Sequence, residues 1–151
     1  MRTIVVASDA PSVRSEVIAV IGNPDTTVIE LSAGAEVAAA VAEHHPDLVI
    51  ADLQMGNMGG MAVCIDLHLE ESCGNLPAVP VLMLLDRRAD VFLARRSDAE
   101  GFLVKPLDPI RVRRAVATLL GGGTYFDESF QPLPLEVAPS SQPSAVGAAG
   151  S

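Results

Sequence analysis

Asp9, Asp52 and Lys105 are the residues whose types and placement can do chemistry, and each stands just after a short apolar run. Two carboxylates brought together repel, and a divalent cation relieves that repulsion. Mg²⁺ suits such a site because it takes a few oxygen ligands and keeps several waters. A carboxylate beside the ion can attack phosphorus and form an acyl phosphate. That transfer depends mostly on positioning and charge neutralisation, and an ammonium can neutralise the phosphoryl oxygens. Lys105 is the only lysine beside nine arginines. A compact point charge on a flexible stem is what a small phosphoryl site favours. Pro106 follows it directly, and a cis bond there would turn the chain and aim Lys105 inward.

These residues converge only if the elements before them lie side by side. Residues 3–7 form a continuous apolar run, as a strand covered on both faces would. Pro11 suits the first turn of a helix reaching about residue 21, with Asp9 or Ala10 near its cap. A second strand is expected over 26–31, an alanine-rich helix over 36–44, and a third strand over 48–51 that ends at Asp52. A loop with Gly56, Gly59 and Gly60 leads to a helix over 61–71. A fourth strand over 79–85, a short helix over 88–96, a fifth strand over 101–104 and a last helix over 109–120 complete the alternation. Such alternation predicts a doubly wound α/β fold of flavodoxin-like type, with five parallel strands ordered 2-1-3-4-5 and helices on both faces. Its crevice lies at the carboxyl ends of the strands, where Ser8, Asp9, Asp52 and Lys105 fall.

The 151 residues, 49% of them hydrophobic, suffice for one ordinary core. No apolar run reaches the roughly 20 residues that cross a bilayer, and no secretory leader is read at the start. Membrane insertion is therefore not expected. A formal charge of -9 disfavours direct nucleic-acid binding through the bulk surface. Cys64 and Cys73 form no CxxC pattern, so reduced thiols in a cytoplasmic protein are expected rather than a zinc site. Residues 1–120 are expected to form the domain. Residues 121–151, rich in Pro, Ala, Ser and Gly and without Lys or Arg, are expected to be a disordered tail with no DNA-binding output module. The aromatic and acidic stretch 125–130 within it would pack back on the domain or dock on a partner only as the lesser state. A flavin-binding reading is disfavoured because residues 8–12 lack a glycine-rich phosphate loop and aromatics make up only 3% of the chain.

Four stretches carry a family resemblance: residues 4–14, 46–55, 79–84 and 101–106, in order and at the right spacing. They resemble the first, third, fourth and fifth strands of response-regulator receiver domains over about residues 2–120. The resemblance implies that Asp52 accepts a phosphoryl group from a sensor histidine kinase or a phosphotransfer protein. It implies that Asp9 and Asp52 bind Mg²⁺ with the backbone carbonyl of Gln54, and that Lys105 contacts the phosphoryl group. It implies a stand-alone, chemotaxis-type switch that signals to a downstream protein by contact. Its only activity would be Mg²⁺-dependent self-phosphorylation and dephosphorylation.

The sequence departs from that pattern. Ser8 replaces the first acidic residue of a usual pair, which would weaken Mg²⁺ binding. Leu85 stands where Thr or Ser usually bonds the phosphoryl oxygen, a loss of roughly 1.5–3 kcal/mol. Asp86 adds an acceptor beside a site that must hold an anion. Phe102 occupies the position of the switching aromatic without a hydroxyl to trade, and reads equally as a core residue. Gly56 replaces a common proline, and the fourth helix is short. A degenerate receiver acting as a phosphate-independent interaction module is thus the alternative. Arg87, Arg88, Arg95, Arg96 and Arg111 surround the face on which the family usually engages partners. They read as a basic docking patch for an acidic partner or the acidic tail, or as a solvated face.

Overall fold

The computed structural model describes residues 1–128. In chain order the elements are β1 (Arg2–Ala7), α1 (Pro11–Ile21), β2 (Thr26–Leu31), α2 (Val37–His44), β3 (Leu48–Asp52), α3 (Gly60–Ser72), β4 (Val81–Leu85), α4 (Val91–Arg96), β5 (Gly101–Val104), α5 (Pro109–Leu120) and β6 (Tyr125–Phe126). Short 3₁₀ turns over Gly34–Glu36 and Arg88–Asp90 lead into α2 and α4. All strands pair in parallel, in the order β2-β1-β3-β4-β5-β6. The expected order 2-1-3-4-5 is present, extended by one short strand.

The apolar runs follow from a sheet covered twice. Alternate residues of one strand serve opposite cores. Val5, Ala7, Val49, Ala51, Met83, Leu85 and Phe102 pack with α2, α3 and α4. Ile4, Val6, Ile50, Leu82, Leu84 and Leu103 pack with Val17 and Ile21 of α1 and Val112, Val116 and Leu119 of α5. β3 and β4 are buried at every position, so neither shows the polar alternation of a half-exposed strand. β4 starts two residues later than expected, just after Pro80, which has no N–H for a ladder. Pro109 opens α5, and Asp108 caps it by accepting the Ile110 N–H at 3.0 Å.

The expected domain end at residue 120 is corrected by β6. Tyr125 and Phe126 pair with Gly101 and Phe102 of β5, and Asp127 is buried. Composition predicts a tail here because it averages a local stretch, whereas this segment is held by residues far away in sequence. The rest of the expected tail, 129–151, lies outside the described residues. Among the described residues no helix is long and apolar enough to cross a membrane. Cys64 and Cys73 are both free. Burial first, and then the Glu100 charge, push the Cys64 thiol up to about 12, so it is no nucleophile at neutral pH.

Candidate functional site

β1 and β3 are neighbours with Ala7 opposite Ala51, so Ser8 and Asp52 emerge together at the carboxyl edge of the sheet. This is where the strand order reverses in an open parallel sheet and leaves a crevice. The Ser8 hydroxyl donates to Asp52 Oδ2 at 2.8 Å and accepts the Ala10 N–H at 3.1 Å. The second bond fixes the first, because an oxygen already accepting from Ala10 turns its own proton toward the carboxylate. Ser8 therefore does more than remove a charge: it supplies a donor to Asp52.

Lys105 follows the end of β5, just before a cis peptide bond to Pro106 and with its own N–H on the Leu85 carbonyl at 2.8 Å. Its ammonium donates to Asp52 Oδ1 at 3.0 Å and Oδ2 at 3.1 Å, and to Asp86 Oδ1 at 2.9 Å. The Asp52 side chain is only 3% exposed, and burying a carboxylate is costly without a paired charge and hydrogen bonds. Lys105 and Ser8 supply both. Gly60 sits against the same strand end: a Cβ there would lie 2.7 Å from the Asp52 carbonyl oxygen, so no larger residue fits.

Burial pulls the Lys105 ammonium down. Hydrogen bonds and charges from Asp86 and Asp52 outweigh it, and the pKa stands above its ordinary value. The stability this gives is fully present below the unfolded lysine value of about 10.4 and is lost as pH rises through the folded value. Urea midpoints measured at rising pH should fall in that alkaline window. The fall should be shallower in Asp86→Asn, which has less of the shift to lose.

Asp9 is exposed, and its Oδ2 accepts the Gly56 N–H at 3.1 Å, which ties it to the β3–α3 loop rather than to Asp52. Gln54 lies exposed on that loop. The expected donors are thus two carboxylates and a carbonyl, all hard oxygens of the kind Mg²⁺ takes. They fit the ion with one carboxylate fewer than an acidic pair would give. No cluster of three or more His, Cys, Asp or Glu suited to a metal occurs among the described residues. Arg14 closes the first of the resembling stretches, residues 4–14. It donates to the Ser8 carbonyl and pairs with Glu30 at 3.2 Å, which braces the β1 end against β2.

Leu85 and Phe102 are fully buried in the same core. Leu85 offers no donor to the crevice. Phe102 packs against Phe126 with ring centroids 5.4 Å apart, and the Arg95 guanidinium lies 5.5 Å from one ring and 5.3 Å from the other. Of the basic patch, Arg87 pairs with Asp90 at 2.9 Å, Arg88 donates to the Asp127 carbonyl, and Arg96 lies exposed. Arg111 Nη1 lies 3.1 Å from Asp127 Oδ2. The sequence does not single out Asp127, which belongs to the aromatic and acidic stretch 125–130 and to the acidic tail expected as one occupant of the basic patch.

Residues 4–117 match the response regulator receiver domain family. An uncharacterized response regulatory protein of Mycobacterium tuberculosis is 32% identical over 123 residues, 78% of this chain and 90% of that protein. The signal receiver domain of the response regulator NarL from Mycobacterium tuberculosis superposes with a TM-score of 0.70 at 28% identity, covering 80% of this chain and 97% of that one. The chemotaxis response regulator CheY4 of Vibrio cholerae has a TM-score of 0.69 at 21% identity, over 79% of this chain and 98% of its own, a likeness of fold.

Proposed function

The chain belongs to the response regulator receiver family, and on that premise we propose that it takes a phosphoryl group onto Asp52 and signals by protein contact. The donor is a phosphohistidine of a sensor kinase or phosphotransfer protein. The observation that carries this reading is a buried carboxylate at a strand end with the chain's one lysine bonded to both of its oxygens. An Asp52 oxygen attacks phosphorus, the O–P bond of an acyl phosphate forms, and the N–P bond to the donor histidine breaks. Lys105 stays against the acquired oxygens and neutralises their charge. Ser8 keeps a hydroxyl beside the same group. Asp9, Asp52 and the Gln54 carbonyl would hold Mg²⁺, which offsets the charge that builds up on the phosphoryl oxygens.

A second reading is a phosphate-independent interaction module. It is favoured by Asp86, which holds Lys105 at 2.9 Å and competes with any phosphoryl group for the ammonium. Intact mass after incubation with acetyl phosphate or phosphoramidate separates the two. A Mg²⁺-dependent gain of one phosphoryl group, lost in Asp52→Asn, is the expected result. No gain in a folded chain at high Mg²⁺ leaves the second reading.

A further inference from the structure

Ser8 stands where the usual acidic pair has its first carboxylate, and it meets Asp52 as a donor. An ionised carboxylate in its place could only accept. The residue is fully buried and held on every polar atom. Its N–H donates to the Leu31 carbonyl at 3.0 Å, its carbonyl accepts from Arg14, and its hydroxyl accepts the Ala10 N–H at 3.1 Å. The remaining contact is its own proton, donated to Asp52 Oδ2 at 2.8 Å. A donor fixed in this way needs no reorganisation when charge grows on the oxygen it faces.

The two Asp52 oxygens are therefore not equivalent. Lys105 reaches both, whereas Ser8 reaches Oδ2 alone. Oδ1 has fewer of its lone pairs engaged, and it is the oxygen that takes phosphorus. Oδ2 becomes the carbonyl oxygen of the acyl phosphate and keeps the Ser8 bond. It is close to neutral in the acyl phosphate and shares a full negative charge once the carboxylate is released. The Ser8 bond thus strengthens as the P–Oδ1 bond breaks, and only an interaction stronger in the transition state than in the ground state accelerates a step.

We infer that Ser8 is a catalytic residue for the loss of the phosphoryl group, its hydroxyl stabilising the departing Asp52 carboxylate and shortening the life of the acyl phosphate. The inference rests on Asp52 as the phosphoryl acceptor. In the step, a water oxygen bonds to phosphorus as the P–Oδ1 bond breaks. The electron pair of that bond passes to the carboxylate and is shared with Oδ2, under the Ser8 hydroxyl and the Lys105 ammonium. One proton of the water stays on the released phosphate, and the other passes to solvent. Two neighbours act in the same direction. Leu85 offers no donor to hold the phosphoryl oxygens, and Asp86 draws on Lys105 at 2.9 Å. The site is built for brief occupancy.

The test is the decay of the phosphorylated full chain. Protein loaded with phosphoramidate and Mg²⁺ is freed of the donor, kept at saturating Mg²⁺, and followed by intact mass as one phosphoryl group is lost. Ser8→Ala should decay roughly tenfold or more slowly than the unaltered chain, a conservative figure for removing one preorganised donor. Its uptake should be no slower, because the same bond stabilises the attacking carboxylate and restrains it. Ser8→Asp adds an acid for the metal but no donor, and it should decay slowly as well. Unchanged decay of Ser8→Ala overturns the inference and leaves Asp52 as acceptor. So does an equal slowing of uptake and decay, which marks a loss of positioning only. Faster decay of Ser8→Asp overturns it too, by assigning the effect of position 8 to the metal. An unaltered chain that takes up no phosphoryl group overturns both this inference and the reading it rests on.

Discussion

Lys105→Ala takes up phosphoryl groups from phosphoramidate roughly a hundredfold or more slowly than the unaltered chain, the scale on which one preorganised charge acts on a developing oxyanion. The reason is geometric. Lys105 Nζ already stands within 3.1 Å of both Asp52 oxygens, so the charge is in place before phosphorus arrives. The same change strands Asp52. Removing one partner of a buried ion pair costs roughly 3–5 kcal/mol, and the low end applies because a hydroxyl remains. Ser8 is that hydroxyl, and the Lys105 side chain is 21% exposed, so water can partly replace it. Adding Asp52→Asn to Lys105→Ala should restore most of the stability and none of the phosphoryl uptake. Urea unfolding and intact mass on the same three proteins separate the two roles. If Lys105→Ala is as reactive as the unaltered chain, the lysine is a structural counter-ion only.

Arg111→Ala acts at the outer edge of β5, beside Val104, and its effect is larger locally than globally. It leaves Asp127 buried without the guanidinium that meets both its oxygens. A core acid deprived of its partner would threaten the whole fold, but this one can leave. Residues 124–128 can undock, and Asp127 then regains water. The global loss is therefore capped by what the segment contributes, about 1–3 kcal/mol. Protection of the Val104 amide and resistance of the segment to proteolysis should fall by at least roughly tenfold, since each 1.4 kcal/mol of local opening is that factor. A loss of global stability well above the cap, with the segment still protected, would show that Arg111 serves the core instead.

These two sites differ in how far the sequence shows them. Asp52 and Lys105 are legible because a doubly covered parallel sheet writes its strands as unbroken apolar runs, and the first polar residue after a run marks a strand end. Residues 48–51 and 101–104 are runs of this kind, and both lead directly into a reactive side chain. The pairing of Ser8 with Asp52 is less legible. The sequence shows a missing carboxylate, while the role of the hydroxyl depends on the register that sets Ala7 opposite Ala51. Arg14 is similar, since its contact with Ser8 depends on how α1 turns back over β1. Asp127 is the least legible. Its partners Val104 and Arg111 lie 23 and 16 residues away, and nothing in the composition of a Gly- and Pro-rich stretch reports a buried carboxylate. The basic patch is visible, with the acidic tail as one of its expected occupants, but which acid lies on it depends on the register of β6 along β5.

The most direct test of the central claim is to find where the phosphoryl group goes. The chain, phosphorylated with phosphoramidate and Mg²⁺, is treated with borohydride, which reduces an acyl phosphate to the alcohol and releases phosphate, and is then sequenced by peptide mass spectrometry. The account predicts homoserine at position 52, only in the phosphorylated sample and only when Mg²⁺ was present. Reduction at another carboxylate, or a phosphoryl group that resists borohydride and maps to a hydroxyl or an imidazole, would contradict it.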